Sequence, residues 1–335
     1  WLASLQERLT QPIDLEGSPI HLTLAIGEVR YPVDGDNAAL LLRRAEIALD
    51  TARRARQGHQ RYVEGQDELH LRQLTLVRDL QEAVNQDQLI MVYQPQIEAH
   101  TGHLSGVEAL MRWHHPHLGF IPPDEFISLA EDSGQIHRLT RWMLHTVCAQ
   151  LRSWEQQGCS LAAAINLSAK DITDVGLPLT IRASLAEYGL GPERLRLEIT
   201  ESAIMQEPEF ASRQLNELRQ VGLHIAVDDF GTGYSSLAQL KRLPVQELKI
   251  DKSFILRLEE NADDETIVRS TIELGHNLGL EIVAEGVETE AARVLLQRLG
   301  CDTLQGYLIA RPLAAIHIVD WATRYQASLS EEQTP

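Results

Sequence analysis

Between residues 90 and 308, short apolar runs alternate with longer amphipathic stretches, and most runs end in an acid, an amide or a lysine. The runs are Ile90–Tyr93, Gly106–Met111, Ala162–Leu167, Leu195–Ile199, Leu223–Val227, Glu247–Ile250, Glu281–Ala284 and Thr303–Leu308. Helical spacing fills most gaps: His137–Gln156, Leu179–Tyr188, Glu209–Val221, Asp264–Leu278 and Thr289–Leu299, with Leu313–Tyr325 closing the chain. Eight strands separated by helices predict an α/β chain folded as a (β/α)8 TIM-like barrel. The first two runs are joined only by Ile97 to His103. A parallel crossover needs a dozen or more residues, so one early strand is expected to run antiparallel.

In such a barrel the strand residues alternate between interior and helix side. Reading the polar residue at each strand end gives Glu108, Asn166, Glu198, Asp228 with Asp229, Lys249, Glu285 and Gln305. Parity holds where it can be tested: Leu197 and Ile199 flank Glu198, Leu248 and Ile250 flank Lys249, and Ile165 and Leu167 flank Asn166. Catalytic groups of these barrels gather at the C-terminal ends of the strands. The carboxylates of Glu108, Glu198, Asp228, Asp229 and Glu285 with the amide of Asn166 match the oxygen-ligand demand of two hard cations, Mg²⁺ or Mn²⁺. Such a pair, about 3.5–4 Å apart, activates water and clamps an in-line phosphoryl displacement. Lys249 is suited to holding the attacking water or neutralising phosphoryl charge. Taken singly, each residue also has a bland reading. Glu108 or Glu198 serves as well in a salt bridge, Asn166 as a strand-end amide, and Asp228-Asp229 as a helix cap and turn.

Net charge is −18 over 335 residues, which argues against duplex nucleic acid as a partner. No apolar run is long enough to span a bilayer. Cys148, Cys159 and Cys301 lack metal-ligand spacing and read as reduced thiols of a cytoplasmic protein. The chain opens on Trp1 rather than Met and is read as a piece of something longer, whose parent could be membrane-anchored. His114-His115-Pro116-His117 suggests imidazole ligation, but its spacing does not fit one helix face and Pro116 breaks local order, favouring a loop.

Four segments are expected: a partial α+β module over 1–65, a linker helix over 66–88, the barrel over 89–327 and a flexible tail over 328–335. In the first, Ile20–Val29 alternates as a strand, Asn37 can cap a helix, and Arg61-Tyr62-Val63 can close the piece. Ala25-Ile-Gly, Tyr31-Pro-Val-Asp-Gly-Asp and Leu42-Arg-Arg-Ala-Glu-Ile-Ala-Leu-Asp resemble the C-terminal part of a GGDEF (diguanylate cyclase) domain. The signature of that family is not in this sequence, so no cyclase chemistry is assigned.

The barrel resembles the EAL domain family, phosphodiesterases of cyclic di-GMP. The resemblance rests on Glu108-Ala-Leu, Tyr93-Gln-Pro, Ile165-Asn-Leu-Ser, Leu197-Glu-Ile-Thr-Glu-Ser, Asp228-Asp-Phe-Gly-Thr-Gly-Tyr-Ser-Ser-Leu, Leu248-Lys-Ile-Asp, Ala284-Glu-Gly-Val-Glu-Thr and Gln305-Gly-Tyr, in order. It implies that Glu108, Asn166, Glu198, Asp228, Asp229 and Glu285 bind two Mg²⁺ or Mn²⁺ ions. It implies catalytic roles for Lys249, Glu108 and Glu201, the last by steadying the loop Phe230–Leu237. Gln94, Leu110, Arg112 and Gln305 fall at substrate-side positions, Arg112 suited to phosphate by its fork geometry. Asp251 reads equally as a residue behind the ligands or as a strand-end cap. Cyclic di-GMP as ligand and a homodimer through the barrel are further implications. Ile309 stands where an aromatic is common in the family. Hydrolysis to linear pGpG is the first expectation. The alternative is a non-hydrolytic cyclic di-GMP receptor, and a metal-assisted enolate lyase is a weaker third.

Overall fold

The computed structural model describes residues 11, 13–15, 18–20, 24–54, 58–231 and 237–332. They divide into two compact units, Trp1–Asp79 and Leu80–Pro335.

In the first unit Ile13–Leu15 pairs antiparallel with Ser18–Ile20. Strands Ile26–Glu28 and His59–Arg61 pair in parallel and flank the helix Ala38–Arg54. Asn37 caps that helix as expected, its Oδ1 accepting from Leu40 N at 3.0 Å. The strand expected over Ile20–Val29 is not continuous. Residues 21–23 lie outside the described set, and Ile26–Glu28 takes a different partner from Ser18–Ile20. A Cβ on Gly27 would sit 2.1 Å from Ala45 O, so only glycine lets helix backbone lie against this strand. The closing strand ends at Arg61 instead of Val63; Tyr62 N still donates to Glu28 O at 2.8 Å, and its hydroxyl donates to Asp67 Oδ2 at 2.7 Å. Asp67 also accepts from Arg43 and Arg44 at 2.9 and 2.8 Å, placing a carboxylate in the first turn of the helix Gln66–Ala83.

The second unit is a closed eight-stranded barrel. Its strands are β1 (Leu89–Glu98), β2 (Leu104–His115), β3 (Ala163–Leu167), β4 (Leu195–Thr200), β5 (His224–Phe230), β6 (Glu247–Ile250), β7 (Glu281–Ala284) and β8 (Thr303–Gln305). β2 to β8 run parallel in sequence order, and β1 closes the ring antiparallel to both β2 and β8. The antiparallel early strand is therefore β1 itself. Ile165, Leu197, Ile225, Leu248 and Ile282 are fully buried. Each such side chain contributes about 1.5–3 kcal/mol of burial.

Outside the ring, helix Ile136–Gln156 buries Leu139, Met143, Val147, Leu151 and Trp154, one stripe at helical spacing. Trp154 meets Tyr93 of β1 edge-on, ring centroids 4.8 Å apart. A helix over Pro123–Asp132 was not foreseen, although proline at its start and acids in its first turn mark it. β8 stops three residues short of Leu308, since Gly306 turns against the backbone of Val287. The closing helix spans Ala315–Glu332 and so runs through most of the tail expected to be flexible. Ser328 and Ser330 hydroxyls donate back to the carbonyls of Tyr325 and Gln326 within it. Residues 333–335 lie outside the described set. Among the described residues no helix is long and apolar enough to cross a membrane.

Candidate active site

Strand parity delivers the site. Register pairs Gln94 of β1 with Glu108 of β2, Asn166 of β3 with Glu198 of β4, and Gln305 of β8 with Gln96 of β1. Along β2, positions 108, 110 and 112 share a face, and Glu108, Leu110 and Arg112 all line a cavity of about 900 Å³ at this end of the barrel. Gln94, Asn166, Asp228, Glu285 and Gln305 line it too. Glu198 and Lys249 lie beneath, both 0% exposed.

Lys249 is the centre of this cluster. Its Nζ is 2.5 Å from Glu285 Oε1, 2.6 Å from Glu198 Oε2, 3.4 Å from Asp228 Oδ1 and 3.8 Å from Glu108 Oε2. Glu108 is fixed from two further sides: Asn166 Nδ2 donates to Oε1 at 2.7 Å and Gln305 Nε2 to Oε2 at 2.6 Å. Gln96 Nε2 in turn donates to Gln305 Oε1 at 2.7 Å, and Gln94 Nε2 to Ala310 O at 3.1 Å.

One ammonium cannot satisfy four carboxylates, of which Glu108, Glu198 and Asp228 are buried and Glu285 partly so. Burial pushes Glu198 well above the usual carboxylate range, with the charge of Glu108 next in weight. Burial, with Asp228 and Glu108 beside it, lifts Glu285 to about 8 against the pull of Lys249. Burial also raises Glu108, but Lys249 and the donors Gln305 and Asn166 outweigh it and leave Glu108 low. Burial would lower Lys249, and the surrounding acids override it and raise it well above the ordinary lysine value. Glu198 Oε1 is buried without a hydrogen-bond partner. A buried carboxyl oxygen without a donor, among other carboxylates, is neutralised either by a proton or by a hard cation, and oxygen donors of this kind suit a divalent ion. The donor set therefore fits divalent ions. Glu108, Asn166, Glu198, Asp228 and Glu285 are the oxygen-bearing residues that the fold brings together at this end of the barrel.

Asp229 stands apart from this group. It is half-buried, does not line the cavity, and has a left-handed backbone, φ 54°. Its N–H donates to Asp228 Oδ1 at 2.9 Å. Burial, then Asp228 and Asp251, raises its carboxyl to about 6. A non-glycine residue at positive φ costs about 1–3 kcal/mol and marks a place held by its surroundings. Glu201 is buried and does not line the cavity; its Oε2 accepts from Gly231 N at 3.1 Å. It thus positions the chain just after Asp229 and is not itself in the cavity. The rest of that loop, residues 232–236, lies outside the described set. Asp251 caps the short helix Lys252–Ile255 by accepting from Ser253 N.

Two residues went unassigned in the sequence. Gln96 is 1% exposed and braces Gln305; its spacing of two from Gln94 on one strand was the available signal. Tyr307 lines the cavity with Arg311 over its ring at 4.3 Å, whereas Ile309 does not line it. The loop expected over the histidine-rich stretch is only partly there: His114 and His115 end β2, the turn covers residues 116–118, and buried His115 organises that turn by accepting from His117 N and Leu118 N through Nδ1. Cys148 and Cys301 are buried free thiols pushed up to about 12 by burial, which leaves them unreactive.

The EAL domain pattern matches residues 77–312. The chain belongs to the EAL domain family. It is 41% identical over 313 residues to the bifunctional diguanylate cyclase/cyclic di-GMP phosphodiesterase MucR of Pseudomonas aeruginosa, covering 93% of this chain and 46% of that protein. It is 36% identical over 324 residues to the cyclic di-GMP phosphodiesterase NbdA of the same organism, covering 96% and 41%. The chain thus spans less than half the length of these two curated relatives. Among solved structures, the PaMucR phosphodiesterase in complex with c-di-GMP superposes with TM-score 0.70 at 45% identity, covering 73% of this chain and 99% of that one. The EAL domain of Mycobacterium smegmatis DcpA superposes with TM-score 0.61 at 36% identity, covering 71% and 97%.

Proposed function

We propose that this EAL domain hydrolyses cyclic di-GMP to linear pGpG. The observation that carries the reading is the imbalance beneath the cavity: four carboxylates share one ammonium, and Glu198 Oε1 receives no hydrogen bond from a nitrogen donor. Two Mg²⁺ or Mn²⁺ ions held by Glu108, Asn166, Glu198, Asp228 and Glu285, with Asp229 joining only by turning in from its place outside the cavity lining, would supply an acidified water and positive charge toward the phosphoryl oxygens. Asn166 and Gln305 fix the orientation of the Glu108 carboxylate. Lys249 holds an ammonium below the reacting phosphorus and offsets negative charge there. Arg112, half-buried in the cavity wall, presents its fork to a non-bridging phosphate oxygen. Gln94 and Leu110 border the same substrate space. Water oxygen bonds to phosphorus, and the 3′ oxygen leaves with a proton.

The relatives named as cyclic di-GMP phosphodiesterases and the c-di-GMP complex of PaMucR support this substrate. Residues 1–65 read best as the C-terminal part of a GGDEF-like module, followed by a linker helix and a barrel that pairs as a homodimer in the cytoplasm. The test is incubation with cyclic di-GMP and Mg²⁺ or Mn²⁺, with and without EDTA, followed by chromatography. Metal-dependent pGpG that is lost in Glu108→Ala is expected. Tight binding without product would replace hydrolysis by the receptor reading.

A further inference from the structure

The barrel gathers a second set of ligand-type side chains at the end opposite the cavity. His224 opens β5, Glu247 opens β6 and Glu281 opens β7, three neighbouring strands. Parallel register sets Glu247 directly beside Glu281. One ligand atom from each residue lies within 4.8 Å of the other two.

The contact between His224 and Glu247 has an unusual form. His224 Nε2 is 3.4 Å from Glu247 Oε2, and Nε2 is buried without a hydrogen bond. The contact is a long ion pair, in which the imidazole helps hold the buried Glu247 carboxyl low against desolvation. Nitrogen and oxygen ligands about 2.0–2.2 Å from one tetrahedral ion stand about 3.3 Å apart, close to what is seen. Glu247 is 2% exposed, and His224 and Arg196 keep its carboxyl below the usual range against the pull of burial, so it offers a charged oxygen. Arg196 Nη1 lies 3.7 Å from Oε2, an ion pair longer than a hydrogen bond. Glu281 is exposed and gives the cluster a side open to solvent.

We propose that His224, Glu247 and Glu281 bind one divalent transition-metal ion, Zn²⁺ foremost, at a site separate from the hydrolytic one. An imidazole with two carboxylates favours such an ion over Mg²⁺ or Ca²⁺, which take oxygen. Three protein ligands leave a fourth position for water. An ion there ties together the beginnings of three consecutive strands and stiffens the end of the barrel that does no chemistry.

The test uses the full chain with saturating Mg²⁺, titrated with Zn²⁺ by calorimetry, with bound zinc counted after dialysis. Wild type is expected to bind one more equivalent of Zn²⁺ than His224→Ala. Glu281→Gln, at an exposed position that does not endanger folding, is expected to weaken that equivalent at least tenfold. The zinc-induced rise in melting temperature should shrink in both variants, while their cyclic di-GMP hydrolysis in Mg²⁺ stays at the wild-type level. Equal zinc stoichiometry and affinity in wild type and Glu281→Gln would overturn the site and leave an Arg196–Glu247–His224 ion-pair cluster in its place.

Discussion

At the scale of single residues, Lys249 is the most exacting element of this barrel. It has no solvent contact, and its charge is tolerated only because four acids surround it. Lys249→Met strands those acids, and breaking a buried pair costs about 3–5 kcal/mol. The variant is expected to melt well below wild type in EDTA and to recover part of the loss in Mn²⁺. Turnover is expected to fall about 10²-fold or more. Calorimetry and product chromatography check both. Glu285 gives a pH signature. Its folded value is about 8 against an ordinary 4.5, so between these the folded state holds the extra proton and stability falls as pH rises. The slope is at most about 1.4 kcal/mol per pH unit. Asp229, lifted to about 6, adds to it over a narrower window. Glu108, held low, acts oppositely: its contribution is present above 4.5 and is lost on acidification. Metal-free protein should therefore melt lower at pH 8 than at pH 5.5, and added Mn²⁺ should raise the melting temperature more at pH 8. A flat profile would contradict the buried acid cluster.

At the scale of elements, the strands that build the site were legible because alternation is local. Glu198, Lys249 and Asn166 each sit between two aliphatic neighbours, and that pattern alone assigns them inward. Asp229 was less legible. Its place depends on a left-handed backbone, which no alternation rule encodes. Glu201 acts on Gly231 N, thirty positions away, so only the fold reveals what it touches. The helix Pro123–Asp132 has its start signals, but only Phe126, Leu129 and Ala130 of its ten residues are buried, so its apolar stripe is faint in the sequence. The turn after β8 gives an element-level prediction. A Cβ on Gly306 would lie 2.1 Å from Val287 O and 2.2 Å from Val287 N. Those atoms are backbone and cannot swing aside, and the same segments are joined by Val287 N to Gln305 O at 3.0 Å. Gly306→Ala is expected to cost about 1–3 kcal/mol and to displace Gln305 from Glu108. Thermal melts and a drop in turnover at saturating substrate would register the two effects separately.

At the scale of the whole molecule, the ring was readable from the count and spacing of strands, and the short first connection foretold which one runs against the others. A fragment from Gln66 to Glu332 contains every residue of the proposed site and is expected to melt cooperatively and to convert cyclic di-GMP in Mn²⁺. Loss of the product peak in a well-folded fragment would mean that the first unit takes part in turnover. The seam where β1 meets β8 has a consequence for how activity arises. Gln305 reaches back across 197 positions to hold Glu108, and Gln96 spans 209 to hold Gln305. Joining points so distant carries the largest chain-closure cost of the fold. A nascent chain that has made seven strands already carries nearly all the acids and Asn166, but lacks Gln305, the second amide that orients Glu108. Competence thus arrives in one step, with the last strand, so unfinished molecules leave the signal nucleotide untouched.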